Sequence, residues 1–344
     1  MFKKYMTLFI GTIFILMMSG CSKSIKTKTV DNQNIGVHSQ KDTNNYNYAY
    51  PLDINVYSDE GKEIVQTIDK EPKRIIVIGQ AMAELMIEFG LKDRIVGVGY
   101  LDQTSSKYGD EVSKLPVMSK TWPSKETMIA LQPDIIYGMS SSFKEDRVGD
   151  ISFWNERGIS VLPAVNFTIG RSVDEYFNDI KNLGKVFNVE DKTTKYLTEE
   201  KTKINKIKKT TKKAKNKPNV LLVASSGREN YDYYPRSGCV IDEVIEDVGG
   251  KYLELSNDSY IEMSTESIIA ANPDKIIITE FQGSDSESIK NKLLSNKRLK
   301  SVTAIKKGNV MVADYTNAIR GSTELSKLYK DVAVFIQPEM FGGN

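Results

Sequence analysis

The stretch SKETMIALQPDII at residues 124–136 returns without a gap as STESIIAANPDKI at residues 264–276, 140 residues further along the chain. Ser124 matches Ser264, Glu126 matches Glu266, Ile129 and Ala130 match Ile269 and Ala270, and Pro133-Asp134 matches Pro273-Asp274. Each copy reads as a short helix opened by its serine, stopped by Pro-Asp and followed by a buried strand. Solenoid repeats return every ~20–50 residues, so a spacing this long points to two duplicated lobes. The acid in the first helical turn is accounted for locally, because the helix dipole favours it by about 0.3–1 kcal/mol.

A β/α rhythm surrounds both copies. Residues 74–78 form a continuous apolar run suited to a strand buried on both faces. A helix over 81–89 closes at Gly90, and strands follow at 94–98, 134–137 and 159–162. Residues 143–157 read as one helix ending at Gly158. Ahead of these, 52–57 and 63–68 pattern as a hairpin around Ser58-Asp59-Glu60-Gly61. The second series has strands at 219–224, 275–279 and 310–313, with helices at 240–248 and 322–336. Between the two series, residues 189–215 contain neither proline nor glycine. They predict a rod of roughly 40 Å, with a narrow apolar stripe of Tyr196, Leu197, Ile204 and Ile207. Its many lysines, among them Lys201, Lys206, Lys209 and Lys213, read as a solvated face. The expected fold is α/β: two Rossmann-like β/α lobes with mostly parallel sheets, bridged by a single long α-helix. The lobes are placed at 51–188 and 218–344, with the bridging helix at 189–217.

The start of the chain reads as a signal peptide over residues 1–20. Lys3 and Lys4 precede an apolar run at 6–18, too short for a mature span of roughly 20 residues. The run ends in Met18-Ser19-Gly20-Cys21, which resembles the bacterial lipobox and implies acylation of Cys21 by palmitate-type chains. Residues 21–50 are rich in Ser, Lys, Thr, Asn and Gln and read as a flexible, lipidated tether. The sole histidine, His38, lies there. With Cys21 acylated, Cys239 stands alone, and no disulfide framework is expected. Lys and Arg total 47 against 45 Asp and Glu, which speaks against a nucleic-acid partner. GxSxG, CxxC and Walker motifs are absent, and Gly97-Val98-Gly99 lacks the third glycine of a dinucleotide fingerprint. No enzymatic role and no cofactor are expected.

Further motifs run in order along the ordered chain: residues 72–77 (PKRIIV), Ala83-Glu84, residues 90–98 (GLKDRIVGV), Val248-Gly249-Gly250-Lys251-Tyr252 and residues 304–310 (AIKKGNV). Together with the repeat and the lone long helix, they resemble the substrate-binding proteins of ABC importers for ferric siderophores, haem and cobalamin. The resemblance implies a monomeric lipoprotein on the extracytoplasmic face of the cell membrane, working with a permease and, through it, an ATPase. It also implies that Glu126 and Glu266 dock the permease through its arginines, one from each lobe. The ligand is expected in the interlobe cleft, on loops leaving the strands' C-terminal ends. Tyr100, Trp122, Arg228, Tyr231, Arg236 and Arg320 are the favoured ligand-binding residues, among wider candidates Gln80, Phe143, Phe167, Arg171, Tyr260 and Phe281. Arginines neutralise anionic chelates and aromatic faces cover their organic shell. A ferric siderophore leads, taken as a finished chelate without protein metal ligands. Haem, with a Tyr or Met as axial donor, and a corrinoid remain alternatives. So does a non-transport surface sensor or adhesin built on the same lobes.

Overall fold

The computed structural model describes residues 50–102, 107–225, 231–256, 258, 261–281 and 286–342. Cys21, His38, Arg228 and Tyr260 lie outside the described residues, as do the leader and almost all of the tether. The first half runs β1 (Leu52–Tyr57), β2 (Glu63–Ile68), β3 (Ile75–Ile78), α1 (Gln80–Glu88), β4 (Ile95–Gly99), α2 (Gly109–Val112), β5 (Val117–Ser119), α3 (Lys125–Ala130), β6 (Ile135–Met139), α4 (Ile151–Asn155), β7 (Ser160–Ala164) and α5 (Val173–Val186). Then come α6 (Glu190–Thr211), β8 (Asn219–Ser225), β9 (Tyr231–Tyr233), α7 (Ile241–Asp247), β10 (Lys251–Tyr252), β11 (Ile261–Met263), α8 (Thr265–Ala271), β12 (Lys275–Glu280), α9 (Ser286–Leu294), α10 (Thr303–Lys306), β13 (Val310–Val312) and α11 (Leu325–Ile336).

β1 and β2 form the expected antiparallel hairpin, Leu52 opposite Ile68. The first lobe's sheet is wholly parallel, in the order β5-β4-β3-β6-β7. Its central strand β3 is fully buried. Ile75 and Val77 enter one apolar cluster while Ile76 and Ile78 enter another, as alternation across a pleat requires. The second lobe's sheet has the path β11-β9-β8-β12-β13, with β10 pairing β8. β10, β8, β12 and β13 are parallel, whereas β9 and β11 add an antiparallel ribbon. The sequence-based reading missed that ribbon, because its strands have three residues each.

The repeat occupies equivalent places in the two sheets. Ser124 caps α3 by accepting from the Thr127 N–H at 3.2 Å, and Ser264 caps α8 by accepting from the Ser267 N–H at 3.2 Å. Both helices are left through a positive φ, 47° at Gln132 and 39° at Asn272. The aspartates then do more than start a strand. Asp134 accepts at Oδ2 from the N–H groups of Lys73 and Arg74, both at 2.9 Å, and its own N–H donates to the Arg74 carbonyl at 2.8 Å. Asp274 makes the same clamp on Asn219, with 2.9 Å to its N–H and 3.0 Å to its carbonyl. Each Pro-Asp therefore ties the strand it launches to the chain at the start of the neighbouring central strand, just ahead of β3 in one lobe and at the first residue of β8 in the other.

α6 lies between the lobes and packs against both α5 and α11. Its buried positions are Thr193, Leu197, Glu200, Ile204, Ile207 and Thr211, a single stripe at alternating spacings of four and three. Glu200 is the polar member. Its carboxylate accepts from the Ser326 N–H at 2.7 Å and the Ser326 hydroxyl at 2.8 Å, so α6 caps the first turn of α11. The helix has 22 residues, which makes it about 33 Å long, shorter than the rod expected. Beyond Thr211 the chain offers only exposed lysines and Asn216 around a half-buried Ala214, so nothing continues the buried stripe.

Residues 143–157 are not one helix. Gly149 adopts φ 93°, which interrupts any helical path, and the Asp150 side chain accepts from the Phe153 N–H at 2.7 Å to start α4 afresh.

The Pro-Asp clamp has a pH signature. Partial burial pushes the Asp134 carboxyl up, but donation from the Lys73 N–H, Lys70 and the Arg74 N–H outweighs it and leaves the group below its ordinary value. A depressed folded-state pKa stabilises the fold above the unfolded value, and that contribution disappears as the pH falls through the folded one. Asp134→Asn is expected to lower stability at neutral pH by about 1–3 kcal/mol. It should also flatten the loss of stability below about pH 4, as read from urea midpoints across a pH series.

Candidate ligand-binding site

Loops at the C-terminal ends of the first lobe's strands build one wall of the cleft. Tyr100 follows β4 with φ 55°, and its N–H donates to the Thr121 carbonyl at 3.0 Å. That bond brings the segment after β5 alongside. Tyr100 and Trp122 stack with centroids 3.6 Å apart and planes 5° from parallel. Arg147 lies over Trp122 at 5.0 Å, while donating to the Ser141 carbonyl at 2.6 Å. The ladder Arg147–Trp122–Tyr100 joins three loops. Two of its members were expected. Arg147 was not, since it stood inside the supposed helix 143–157.

The second lobe contributes Phe281 after β12 and Tyr315 after β13, with ring centroids 5.2 Å apart. Tyr315 and Tyr234 share a hydroxyl hydrogen bond of 2.9 Å. Arg320 sits over Tyr315 at 5.5 Å, yet it does not stand free for a ligand. Its Nη1 pairs with Asp102 Oδ2 across the lobes at 2.6 Å, and both side chains are almost entirely buried. Arg171, 2% exposed, completes this seam. It donates from Nε at 2.7 Å, and also from Nη2, to the Arg320 carbonyl, and from Nη1 at 2.7 Å to Asp179. The Arg171 N–H donates to the Ser237 carbonyl at 2.6 Å, and Tyr176 donates to the Ser322 carbonyl at 2.6 Å.

Beside the seam a cavity of about 960 Å³ opens between the lobes. Lys107, Lys114 and Lys120 approach it from the first lobe, and Asp314 and Glu324 from the second; Gln80 and Glu84 of α1, with Asp110 and Glu111 of α2, add to its polar lining. Burial raises the Asp314 carboxyl above its ordinary value. The cavity is lined by charges of both signs, and by lysine where arginine was expected.

The other expected residues have different surroundings. Tyr231 is 7% exposed, paired with Met263 and packed with Leu221 and Val223 behind the second sheet. Arg236 is bound to Glu246 at 2.5 Å and to Glu254 at 3.4 Å. Phe143 joins Trp154 and Met128 in a core cluster. Phe167 is half-buried, and Gln80 donates to Glu84 at 3.1 Å. Glu126 and Glu266 are both exposed in the first turn of their helices. The Glu126 backbone N–H and the Ser124 hydroxyl hold its carboxylate below the ordinary range. Its own N–H and Arg298, to which it is ion-paired, do the same for Glu266.

Asp102 and Tyr315 carried only a positional signal, each a few residues past a strand end. Two ring-lined walls and a cavity at the carboxyl ends of two facing sheets define a ligand-binding protein of the two-lobed type. The chain belongs to the periplasmic binding protein family, whose model matches residues 75–315. It is 23% identical over 276 residues to the uncharacterized ABC transporter substrate-binding lipoprotein YvrC of Bacillus subtilis (strain 168), covering 80% of this chain and 83% of that one. It is also 23% identical over 347 aligned positions to the petrobactin-binding protein YclQ of the same strain, covering 96% and 98%. A periplasmic binding protein from Veillonella parvula DSM 2008 superposes with a TM-score of 0.72 at 19% identity, over 85% of this chain and 93% of that one.

Removing one partner of a buried ion pair strands the other charge. Asp102→Ala is therefore expected to cost about 3–5 kcal/mol, measured as a fall in the thermal or urea midpoint.

Proposed function

We propose that the chain is the solute-binding lipoprotein of an ABC importer, anchored through Cys21 on the extracytoplasmic face, and that it captures a ferric siderophore between its lobes for delivery to the permease. The interlobe cavity carries this reading. At about 960 Å³ it sits at the upper end of small-molecule sites, roughly 300–1,000 Å³. A chelate with an organic shell fills such a space, and a bare ion does not. The Tyr100–Trp122 stack adjoins Leu101 of the cavity lining, and an aromatic pair at that margin suits such a shell. Lysines and carboxylates around the cavity suit a chelate with both anionic donors and cationic arms. The names of the two Bacillus relatives support the same direction.

Trp122 is half-buried beside the cleft, whereas Trp154 is fully buried with its indole N–H bound to the Val148 carbonyl at 3.1 Å. Titration with ferric catecholates, ferric hydroxamates, haem and cobalamin is expected to quench Trp122 fluorescence with a ferric siderophore and leave Trp154 unaffected. Trp122→Phe should remove most of the quenching without changing the melting temperature. Quenching by haem or cobalamin alone would assign the cleft to that ligand, and a silent panel would remove the small-chelate reading.

Glu126 and Glu266 present one exposed carboxylate per lobe, each held below its ordinary value, for pairing with cations of the permease. Glu266 must first exchange its Arg298 partner. In proteoliposomes holding the permease and its ATPase, Glu126→Ala and Glu266→Ala should each weaken stimulation of ATP hydrolysis several-fold, and the double variant should nearly abolish it. Ligand quenching should be unchanged in all three.

A further inference from the structure

The lysine run of α6 has no place in ligand capture or in permease docking. Residues 201–217 hold nine lysines and no carboxylate, and without them the chain's formal charge of +2 would become −7. The excess positive charge of this protein is thus concentrated in one segment. Eight of the nine lysines are exposed, and Lys208 is half-buried. Lys203 and Lys208 pair with Glu200 and Asp247. Lys206, Lys209, Lys212, Lys213, Lys215 and Lys217 have no carboxylate partner among the described residues.

Their arrangement is directional. With 3.6 residues per turn, Lys195, Lys206 and Lys209 fall opposite the buried stripe of Leu197, Ile204 and Ile207, on the outward face of α6, and Lys213 follows two residues beyond its end. A cation or two at the helix C-terminus is favoured by the dipole. A row at spacings of three and four is not, because like charges there repel and weaken the helix. Asp191 and Glu199 flank Lys195 on this face, but from residue 201 onward the run carries one sign only. A merely solvated face needs neither that uniform sign nor the repulsion. A planar anionic counter-surface accounts for both.

We propose that the outward face of α6 and the lysines after it rest on the anionic phospholipid headgroups of the membrane that anchors the chain. The inference builds on the Cys21 anchor proposed above. With 28 residues between Cys21 and Tyr50, a coil-like tether spans about 30 Å, so the body stays at a high effective concentration over the bilayer. Contacts that are individually weak and screened beyond about 8 Å then suffice to orient it.

The test uses the full, lipidated chain in vesicles of phosphatidylcholine alone or of phosphatidylcholine mixed with phosphatidylglycerol, with lysine acetylation rates read by mass spectrometry. Acetylation of Lys206, Lys209 and Lys213 should slow several-fold on the anionic vesicles only, and recover in about 1 M salt. Lys114, in the interlobe cavity, should react equally on both. In the triple variant Lys206→Gln, Lys209→Gln, Lys213→Gln, protection of Lys195 and Lys212 should be lost while circular dichroism stays unchanged. Equal rates on both vesicles, or protection that includes Lys114, would overturn the contact while leaving the anchor in place. Protection by soluble polyphosphate with none on vesicles would overturn it in favour of a polyanion. A chain that floats with neither vesicle would refute the anchor and the contact together.

Discussion

Two buried guanidinium groups hold the architecture at the point where the lobes meet. Charge removed from water is costly unless matched at close range. Here Arg171 is matched by Asp179 within the first lobe, and Arg320 by Asp102 across the gap. Arg171 also binds the Arg320 carbonyl, so one side chain senses the backbone of the opposite lobe. Gly321 follows with φ 83°, and a Cβ there would come within 2.6 Å of the Tyr176 ring. Only glycine permits this approach. The lobes are therefore joined twice, once along α6 and once at this seam. While both connections hold, neither lobe can swing widely about the other, and opening and closing are confined to a small adjustment of the cleft.

The seam also explains the composition of the cleft. Arg320 and Arg171 are consumed by holding the lobes, so the cavity beside them is lined by lysines and carboxylates. The aromatic surface lies on the strand-end loops, where Tyr100, Trp122 and Arg147 stack on one side and Phe281 and Tyr315 meet on the other. Parallel strands bring their carboxyl ends to one edge of each sheet, and facing two such edges makes a crevice of loops. The cleft follows from the topology, and its chemistry from which loop residues remain uncommitted.

Local signals in the sequence were readable wherever the physics is local. The hairpin at Leu52–Tyr57 and Glu63–Ile68 was legible residue for residue, because alternation and a turn define it. The serine caps, the Pro-Asp stops and the buried run at Ile75–Ile78 were legible for similar reasons. Residues 143–157 misled because their composition tolerates a helix; what stops it is one glycine φ and one aspartate cap. Tyr231 and Arg236 show the limit for single side chains. Both stand in a loop-like stretch rich in tyrosine and arginine, yet one turns into the core of a short strand and the other finds two glutamates.

By itself the sequence determined the duplication, the β/α class of both halves and the helix between them, because periodicity, caps and breakers act within a few residues. It also determined where charge accumulates, since counting needs no coordinates. Only the tertiary structure decided which arginine faces a ligand and which pins two lobes, that Asp134 and Asp274 clamp neighbouring strands, and that Arg147 reaches Trp122. Those outcomes depend on contacts between residues that are tens to more than two hundred positions apart, such as Asp102 and Arg320. Nothing in the local chain encodes the distance that folding closes between them.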